Sequence, residues 1–569
     1  MNNSIVLTLL LSCCTLVWSR TSSDLRVTLS NGSKLIGKYS RSFSGRPIKS
    51  FVGVPYAKPP VGHLRFKAPE PIEKWDGEYK AINDGSVCVQ RNSFKHIYDD
   101  QGSENCLFLN VHVPHSFEGI SSNLSVMVYF HGGGFITHSG TSSFYGPTYL
   151  LDHDIILVTA NYRLGPLGFL STEDENCLGN FGLKDQSMVL KWIQQNIERF
   201  GGNPNSVTIF GSSAGGASVT YHMMSPLSKG LFSRAIAMSG TNLAPWAQPA
   251  HKGVARKQAT KFAKYFNCYT PSDWPLTIDC LRNVPAINIS AAFFDFFEFD
   301  TDPMVVFSPV VEPDVPGAFI TKHPREDKAE TSKEIPFLAG ATYDEGLIKS
   351  LSIFNYPGAF DNFASNLTRA LSISLYYDHH NSSIQDSITK HINEFYFENN
   401  FSRDKFMNVT NLFGDAWFLD SMDSYVRMRL AHKEVASNYV YLLSHKASAS
   451  LSDFFHGDTE TIYGVCHGDE GIYLFPHSAF SNSLPTKGDE EMRRTITQLW
   501  VDFARNGNPT PDSSHLPKWT ETKELPLNFY RLGNLHFDGK PMFGNENGGI
   551  FEERAKFWRE INAFTTNKN

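Results

Sequence analysis

Between residues 126 and 239 the chain alternates short apolar, β-rich runs with longer helical patterns, and nothing else in the sequence restricts the fold as much. Val126–Phe130, Ile155–Thr159, Val207–Phe210 and Ala235–Met238 read as strands. Strands joined by helical crossovers run parallel, and right-handed crossovers pack the helices onto the sheet. Lys184–Phe200 carries Met188, Leu190, Ile193, Ile197 and Phe200 at near-helical spacing, so one face of it packs inward. The GGNP at 201–204 ends that helix and turns the chain into the next strand. Ile335–Ala339 and Tyr439–Leu443 return to strand character, and Glu490–Ala504 reads as a helix. Residues 24–82 predict short antiparallel pieces, and 250–330 a mixture of helix and loop. The expected fold class is α/β, with one large, mixed, mostly parallel sheet flanked by helices and long excursions forming a gorge wall. At 569 residues such a unit buries a core without metal or disulfide support.

GSSAG at 211–215 stands between the third strand and a helix-compatible stretch reaching Met224. A serine flanked by glycines at i−2 and i+2 fits a sharp strand-to-helix turn, where small neighbours let backbones approach while Oγ projects above the sheet edge. That context makes Ser213 the candidate nucleophile. HGGG at 131–134 ends the first strand, and its run of glycines exposes main-chain donors suited to a developing oxyanion. The N–H groups of Gly133, Gly134 and Ala214 are the assigned oxyanion donors.

A serine hydroxyl needs a base, and the base needs an acid to orient it. In this architecture both follow the serine in the chain. His467, in GVCHGDEGIY, fits that order, with His456, His323 and His222 as rivals; His222 lies in the post-serine helix and reads as structural. Glu345, in GATYDEG after the Ile335–Ala339 strand, sits at a strand's carboxyl end, and Asp344 beside it is an equal rival on these grounds. Asp469 and Glu470 are placed to bind or orient the histidine's loop.

A formal charge of −7 with 19% charged residues imposes no nucleic-acid partner and no anionic surface. Ile5–Val17 has the length of a signal-peptide apolar region, with Ser19 at a cleavage position, so residues 1–19 are expected to be a signal and 20–569 one catalytic domain. No later stretch is long and apolar enough for a span, which predicts a soluble extracellular protein. Beyond the signal, Cys88, Cys106, Cys177, Cys268, Cys280 and Cys466 allow fifteen full pairings, and spacing does not choose among them. N-x-Ser/Thr acceptors for N-glycosylation stand at Asn31, Asn123, Asn288, Asn366, Asn381, Asn400 and Asn408.

FVGVPYAKPPVGHLRFKAPEP at 51–71, SENCLFLNVHVP at 103–114, HGGGF at 131–135, NYRLGPLGFLS at 161–171, NFGLKDQ at 180–186, ERFGGNPNSVTIFGSSAGG at 198–216 and FSPVVEP at 307–313 together resemble the cholinesterase and carboxylesterase family of α/β-hydrolases, closest to secreted insect carboxylesterases. The resemblance extends over roughly residues 25–560. It implies an α/β-hydrolase fold and ester hydrolysis through Ser213 as nucleophile, His467 as base and Glu345, rather than Asp344, as acid, with oxyanion donors at Gly133, Gly134 and Ala214. It also implies disulfides Cys88–Cys106 and Cys268–Cys280, and it leaves Cys177 and Cys466 as free buried thiols, with a third bridge as the alternative. The implied partner is a small-molecule ester, with no metal or organic cofactor. Trp246 is implied in the acyl pocket, with Phe and Tyr residues of 290–310 near the entrance; ordinary core packing is an equal reading for each. Whether the protein is a monomer or homodimer stays open.

Three departures from the family pattern carry weight. Ser212 precedes the nucleophile where many relatives hold a carboxylate, which weakens attraction for cations. No tryptophan lies between Cys88 and Cys106, where cholinesterases offer an aromatic face to a quaternary ammonium, so choline esters are disfavoured. Asn105 replaces the usual aspartate in SENCL, which predicts a weaker ion pair. The implied role is a broad carboxylesterase, with a juvenile-hormone or pheromone esterase as alternative. A sequestering protein that deacylates slowly is a further reading. A silent adhesion ectodomain would have lost the nucleophile, base or donors, and all are present.

Overall fold

A computed structural model describes residues 25–91, 100–115, 122–249, 251–458, 461–476, 486–537 and 539–566. The expected signal segment, 1–19, lies outside the described residues. Among the described residues eleven strands form the main sheet: β1 (Lys38–Arg41), β2 (Pro47–Pro55), β3 (Phe108–Pro114), β4 (Leu124–Phe130), β5 (Ile155–Ala160), β6 (Gly202–Ser212), β7 (Arg234–Met238), β8 (Phe337–Thr342), β9 (Asn438–Leu443), β10 (Phe529–Leu532) and β11 (Phe543–Glu546). Their order across the sheet is β11-β10-β9-β8-β7-β6-β4-β5-β3-β2-β1. The run from β5 to β10 is parallel, and the remaining pairs at either margin are antiparallel.

The parallel strands are covered on both faces, which is why they read as continuous apolar runs. Every residue of β5 is buried. In β4 the alternation of the pleat still sorts side chains: Val126, Val128 and Phe130 enter one apolar core, and Met127 and Tyr129 the other. On one side lie helices α1 (Phe181–Asn196) and α2 (Ala214–Met224). Helix α1 begins three residues before the apolar periodicity predicts, and its Lys184 and Asp185 are buried through ion pairs: Arg163 grips Asp185 bidentately at 2.6 and 2.8 Å, and Lys184 meets Glu312 at 2.7 Å. A short 3-10 turn, Ile197–Phe200, closes the helix, and Gly201 (φ +87°) takes the left-handed conformation that ends it. Beyond β8 the chain enters a helical excursion that includes α3 (Leu347–Asn355), α4 (Ser382–Phe397), α5 (Phe406–Gly414) and α6 (Asp420–Leu430). Helices α7 (Lys487–Asn506) and α8 (Glu552–Thr566) follow. Among the described residues no helix is long and apolar enough to cross a membrane.

The topology positions the site. After β4 the chain crosses to β5 on one side, and after β5 it returns to β6 on the other side of β4. Two connections that leave in opposite directions open a crevice beyond the carboxyl ends of the strands between them. HGGG leaves β4 there, and Ser213 follows β6 there.

Candidate active site

Ser213 is the pivot between β6 and α2, held at φ +60°, ψ −123° with its N–H donating to the Met238 carbonyl at 2.9 Å. A non-glycine residue in that conformation is strained and persists only where its surroundings fix it. The flanking glycines supply the room: a Cβ on Gly211 would stand 2.5 Å from the Phe130 carbonyl oxygen, and one on Gly215 only 2.0 Å from the same atom. The strand-to-helix turn therefore lies directly against the end of β4. Gly133 (φ +99°) and Gly134 (φ +60°) turn the HGGG segment back over it. Among the described residues the N–H groups of Gly133, Gly134 and Ala214 have no protein acceptor, so three main-chain donors near Ser213 are unspent.

Ser212, Ser213, Gly132, Gly133 and His467 line one cavity of about 230 Å³. Its walls are mainly apolar, with Tyr129, Phe144, Tyr145, Ile348, Leu451, Phe454, Phe455 and Ile472, and no Asp, Glu, Lys or Arg is among the described residues lining it. Its aromatic wall comes from 144–145 and 454–455 rather than from 290–310. Trp246 does not line it either: fully buried, it donates its indole N–H to the Trp417 carbonyl at 3.0 Å and packs on Phe135 and Phe418.

The acidic pair that the sequence leaves open separates in space. Glu345, 1% exposed, follows β8 and brings Oε2 within 2.6 Å of His467 Nδ1. Its other oxygen accepts the Thr342 N–H at 2.7 Å and the Ser239 hydroxyl at 2.5 Å. Asp344 points away and accepts the Val465 N–H at 2.9 Å, bracing the segment that carries His467. Asp469 braces the other side, accepting from the N–H groups of Cys466 and Leu451 at 2.8 and 2.7 Å. The rival histidines are spoken for differently. His222 is buried between Ser228 and Gln186, and burial pulls its pKa down to about 3. His323 caps a short helix by accepting the Arg325 N–H, and His456 does not line the cavity.

Behind Glu345 stands a second carboxyl that sequence reasoning placed only loosely. Ser239 Oγ lies 2.5 Å from Glu345 and 2.9 Å from Glu470 Oε1, which also receives the Tyr441 hydroxyl at 2.8 Å. One hydroxyl carries one proton, so if Ser239 donates to Glu345 the second contact is supplied by the proton of a neutral Glu470. Burial, then the neighbouring Glu345 charge, push Glu470 up to about 7, in keeping with that assignment. Ser239 directly follows β7, so the rule that sites form at strand carboxyl ends was the signal that would have found it. Phe418 had no such signal. It rides on a π-helical turn, Asp415–Leu419, and stacks on the His467 ring at 4.2 Å.

Cys88 is bonded to Cys106 and Cys268 to Cys280, while Cys177 and Cys466 are free and buried. Burial raises the Cys177 thiol to about 12 and pushes Cys466 well up, so neither is a nucleophile. The expectation of an ion pair weakened at Asn105 is corrected by its neighbour: Asn105 is exposed, and Glu104 makes a bidentate bridge to Arg65 at 2.6 Å through both oxygens. Among the described residues no group of His, Cys, Asp and Glu is arranged to hold a metal ion.

The model of the family described as "Carboxylesterase family" matches residues 23–547. A juvenile hormone esterase of Tribolium castaneum is 36% identical, with 92% of each chain covered. Esterase FE4 of Myzus persicae is 34% identical over 89% of this chain and 88% of its own length. The crystal structure of juvenile hormone esterase from Manduca sexta with OTFP covalently attached superposes with a TM-score of 0.82 at 28% identity, covering 95% of this chain and 99% of that one. The sheet and its flanking helices are thus the α/β-hydrolase fold.

Proposed function

This chain belongs to the carboxylesterase family, and from that premise we propose that it hydrolyses neutral, apolar carboxylic esters by acyl transfer through Ser213, His467 and Glu345. The observation that carries the proposal is the 2.6 Å Glu345–His467 contact opening on the cavity that Ser213 enters. Ser213 Oγ attacks the ester carbonyl as His467 takes its proton. The oxyanion of the tetrahedral intermediate accepts from the N–H groups of Gly133, Gly134 and Ala214. His467 returns the proton to the departing alcohol, then takes one from water, whose attack frees the acid and restores Ser213. Glu345, accepting from three donors, holds the imidazole with Nδ1 as its donor and Nε2 toward the reaction.

The absence of Asp, Glu, Lys and Arg among the described lining residues, with Ser212 beside the nucleophile, supports neutral over cationic substrates. A 4-nitrophenyl butyrate assay beside butyrylthiocholine is expected to favour the neutral ester at least about 100-fold in kcat/KM, and Ser212→Glu is expected to narrow that ratio about tenfold through a carboxylate in a low-dielectric pocket. Equal turnover of the two esters by the wild type would refute the assignment of substrate class. Similarity to juvenile hormone esterases supports a second reading, a hormone esterase, which higher kcat/KM on a juvenile-hormone ester than on short aromatic esters would favour.

We also propose that the protein is exported and glycosylated. Two disulfides and the position of the acceptors support this: Asn31, Asn123, Asn288, Asn366, Asn381 and Asn400 are exposed. Asn408 is half-buried, its amide donating to the Tyr396 carbonyl at 2.8 Å. Expression in insect cells is expected to deliver glycoprotein to the medium, with glycans mapped to the exposed acceptors and none at Asn408. Retention in the cell without glycan overturns the proposal.

A further inference from the structure

We propose that Gln90 is a positioning residue for the reaction, clamping the turn that presents the Gly133 and Gly134 N–H groups. That turn is a closed unit. Gly133 opens it, and the Gly133 carbonyl accepts the N–H groups of Ile136 and Thr137 at 3.0 and 3.1 Å, folding the chain back on itself. The closure is tight, since a Cβ on Gly133 would stand 2.4 Å from the Thr137 carbonyl oxygen. The direction of the two donors at its start is therefore coupled to the placement of Thr137 and His138 at its end.

Gln90 grips that end. Its amide oxygen accepts the Thr137 hydroxyl at 2.8 Å and the His138 N–H at 2.7 Å, while its amide nitrogen donates to the His138 carbonyl at 2.8 Å and to the Cys88 carbonyl at 3.1 Å. Gln90 is 6% exposed and lines the cavity itself, so the four bonds leave the amide little capacity to spare. The Cys88 contact joins the turn to the Cys88–Cys106 disulfide. A main-chain donor stabilises an oxyanion only if it already points at it before charge develops, and a displacement of about 1 Å is enough to cost on the order of 100-fold. Gln90 holds that direction from outside the turn. It touches no reacting atom.

The role rests on the acyl-transfer reading above, and its test separates the two. Gln90→Met removes all four bonds, and Gln90→Glu keeps the acceptors but loses both donors. Thr137→Val removes a single bond and serves if the Gln90 variants fold poorly. Each full-length variant is assayed on 4-nitrophenyl butyrate, and its affinity is measured for a trifluoromethyl ketone and for the methyl ketone of the same skeleton. The fluorinated ketone reacts with Ser213 Oγ, the hydroxyl proton passing to His467 and the carbonyl oxygen becoming a hemiketal oxyanion; the methyl ketone binds without forming it.

The expected result is a fall in kcat of about 10- to 100-fold for the Gln90 variants, with KM within about threefold and a smaller fall for Thr137→Val. Trifluoromethyl ketone affinity falls in step with kcat/KM, and methyl ketone affinity does not. Wild-type turnover together with kcat within about twofold in a folded Gln90→Met protein overturns the clamp alone, as does equal loss of both ketones, the mark of general damage. A wild type that neither turns over the ester nor reacts with the fluorinated ketone overturns the clamp and the acyl-transfer reading together.

Discussion

Replacing Ser213 with alanine is expected to lower kcat for 4-nitrophenyl butyrate by about 10⁵- to 10⁶-fold, leaving melting temperature unchanged or raised. The catalytic loss is large because the hydroxyl is the only proposed bond-forming atom, and His467 and Glu345 have no task without it. Residual turnover from the remaining donors sets the floor. The stability expectation has a separate origin. Ser213 is held at φ +60°, in a turn where Gly211 and Gly215 admit the Phe130 carbonyl closely, so removing Oγ relieves no backbone strain but exchanges a polar tip at the cavity for a methyl group. Ester turnover and thermal unfolding measured on the same preparation check both parts. Activity surviving undiminished in the variant would remove the nucleophile from the mechanism.

The parallel sheet was legible because its strands are buried on both faces, and continuous apolar runs such as Ile155–Ala160 announce that condition. The strand-to-helix turn at Ser213 was legible for a different reason: a glycine two residues away on either side has few other uses at the end of a strand. What escaped were elements whose burial depends on partners far away in the chain. The first turn of α1 hides Lys184 and Asp185 inside ion pairs with Glu312 and Arg163, so its hydrophobic periodicity starts late. The strands β10 and β11 are four residues each and carry polar side chains whose pairing, Arg531 with Glu546, exists only after folding.

The same limit applied within the site. Glu345 and Asp344 are adjacent and both acidic, so local sequence gave equal grounds for each, and only the register of β8 against the His467 segment points one carboxyl at the imidazole and the other at Val465. Gln90 and Phe418 each act through one spatial contact set, a bracket on Thr137 and His138 or a stack on His467, with no spacing rule to announce it. Trp246 shows the converse. An aromatic residue suited to a pocket wall instead fills the layer behind it, where its N–H finds the Trp417 carbonyl.

Neutralising three of the buried carboxyls around His467 one at a time is expected to give three different outcomes. Glu345→Gln lowers kcat by about 10⁴-fold with KM little changed, because the amide offers its own N–H toward Nδ1 or forces the other imidazole tautomer, and in either case Nε2 no longer serves as base. Asp344→Asn keeps an amide oxygen for the Val465 N–H but exchanges a carboxylate acceptor for a neutral one, so it acts mildly and mainly on stability, since Asp344 does not reach the imidazole. Glu470→Gln keeps kcat within about tenfold, because the amide is neutral like the acid and its nitrogen, placed where Oε1 stands, donates one N–H to Ser239 and the other to the Tyr441 hydroxyl oxygen. Its distinguishing effect is on pH dependence. In the folded chain burial raises Glu470 to about 7 and Asp469 to about 8, whereas unfolded carboxyls titrate near about 4. The folded state therefore holds protons that the unfolded state has released, and stability is fullest below the unfolded value and is lost as pH rises through the folded ones. Glu470→Gln removes one of those protons from the balance, so its melting temperature falls less than that of the wild type between about pH 5 and pH 8.5. Parallel slopes for the two proteins would mean that Glu470 is already ionised at the lower pH, and with it would go the assignment of Ser239 as donor to Glu345 alone.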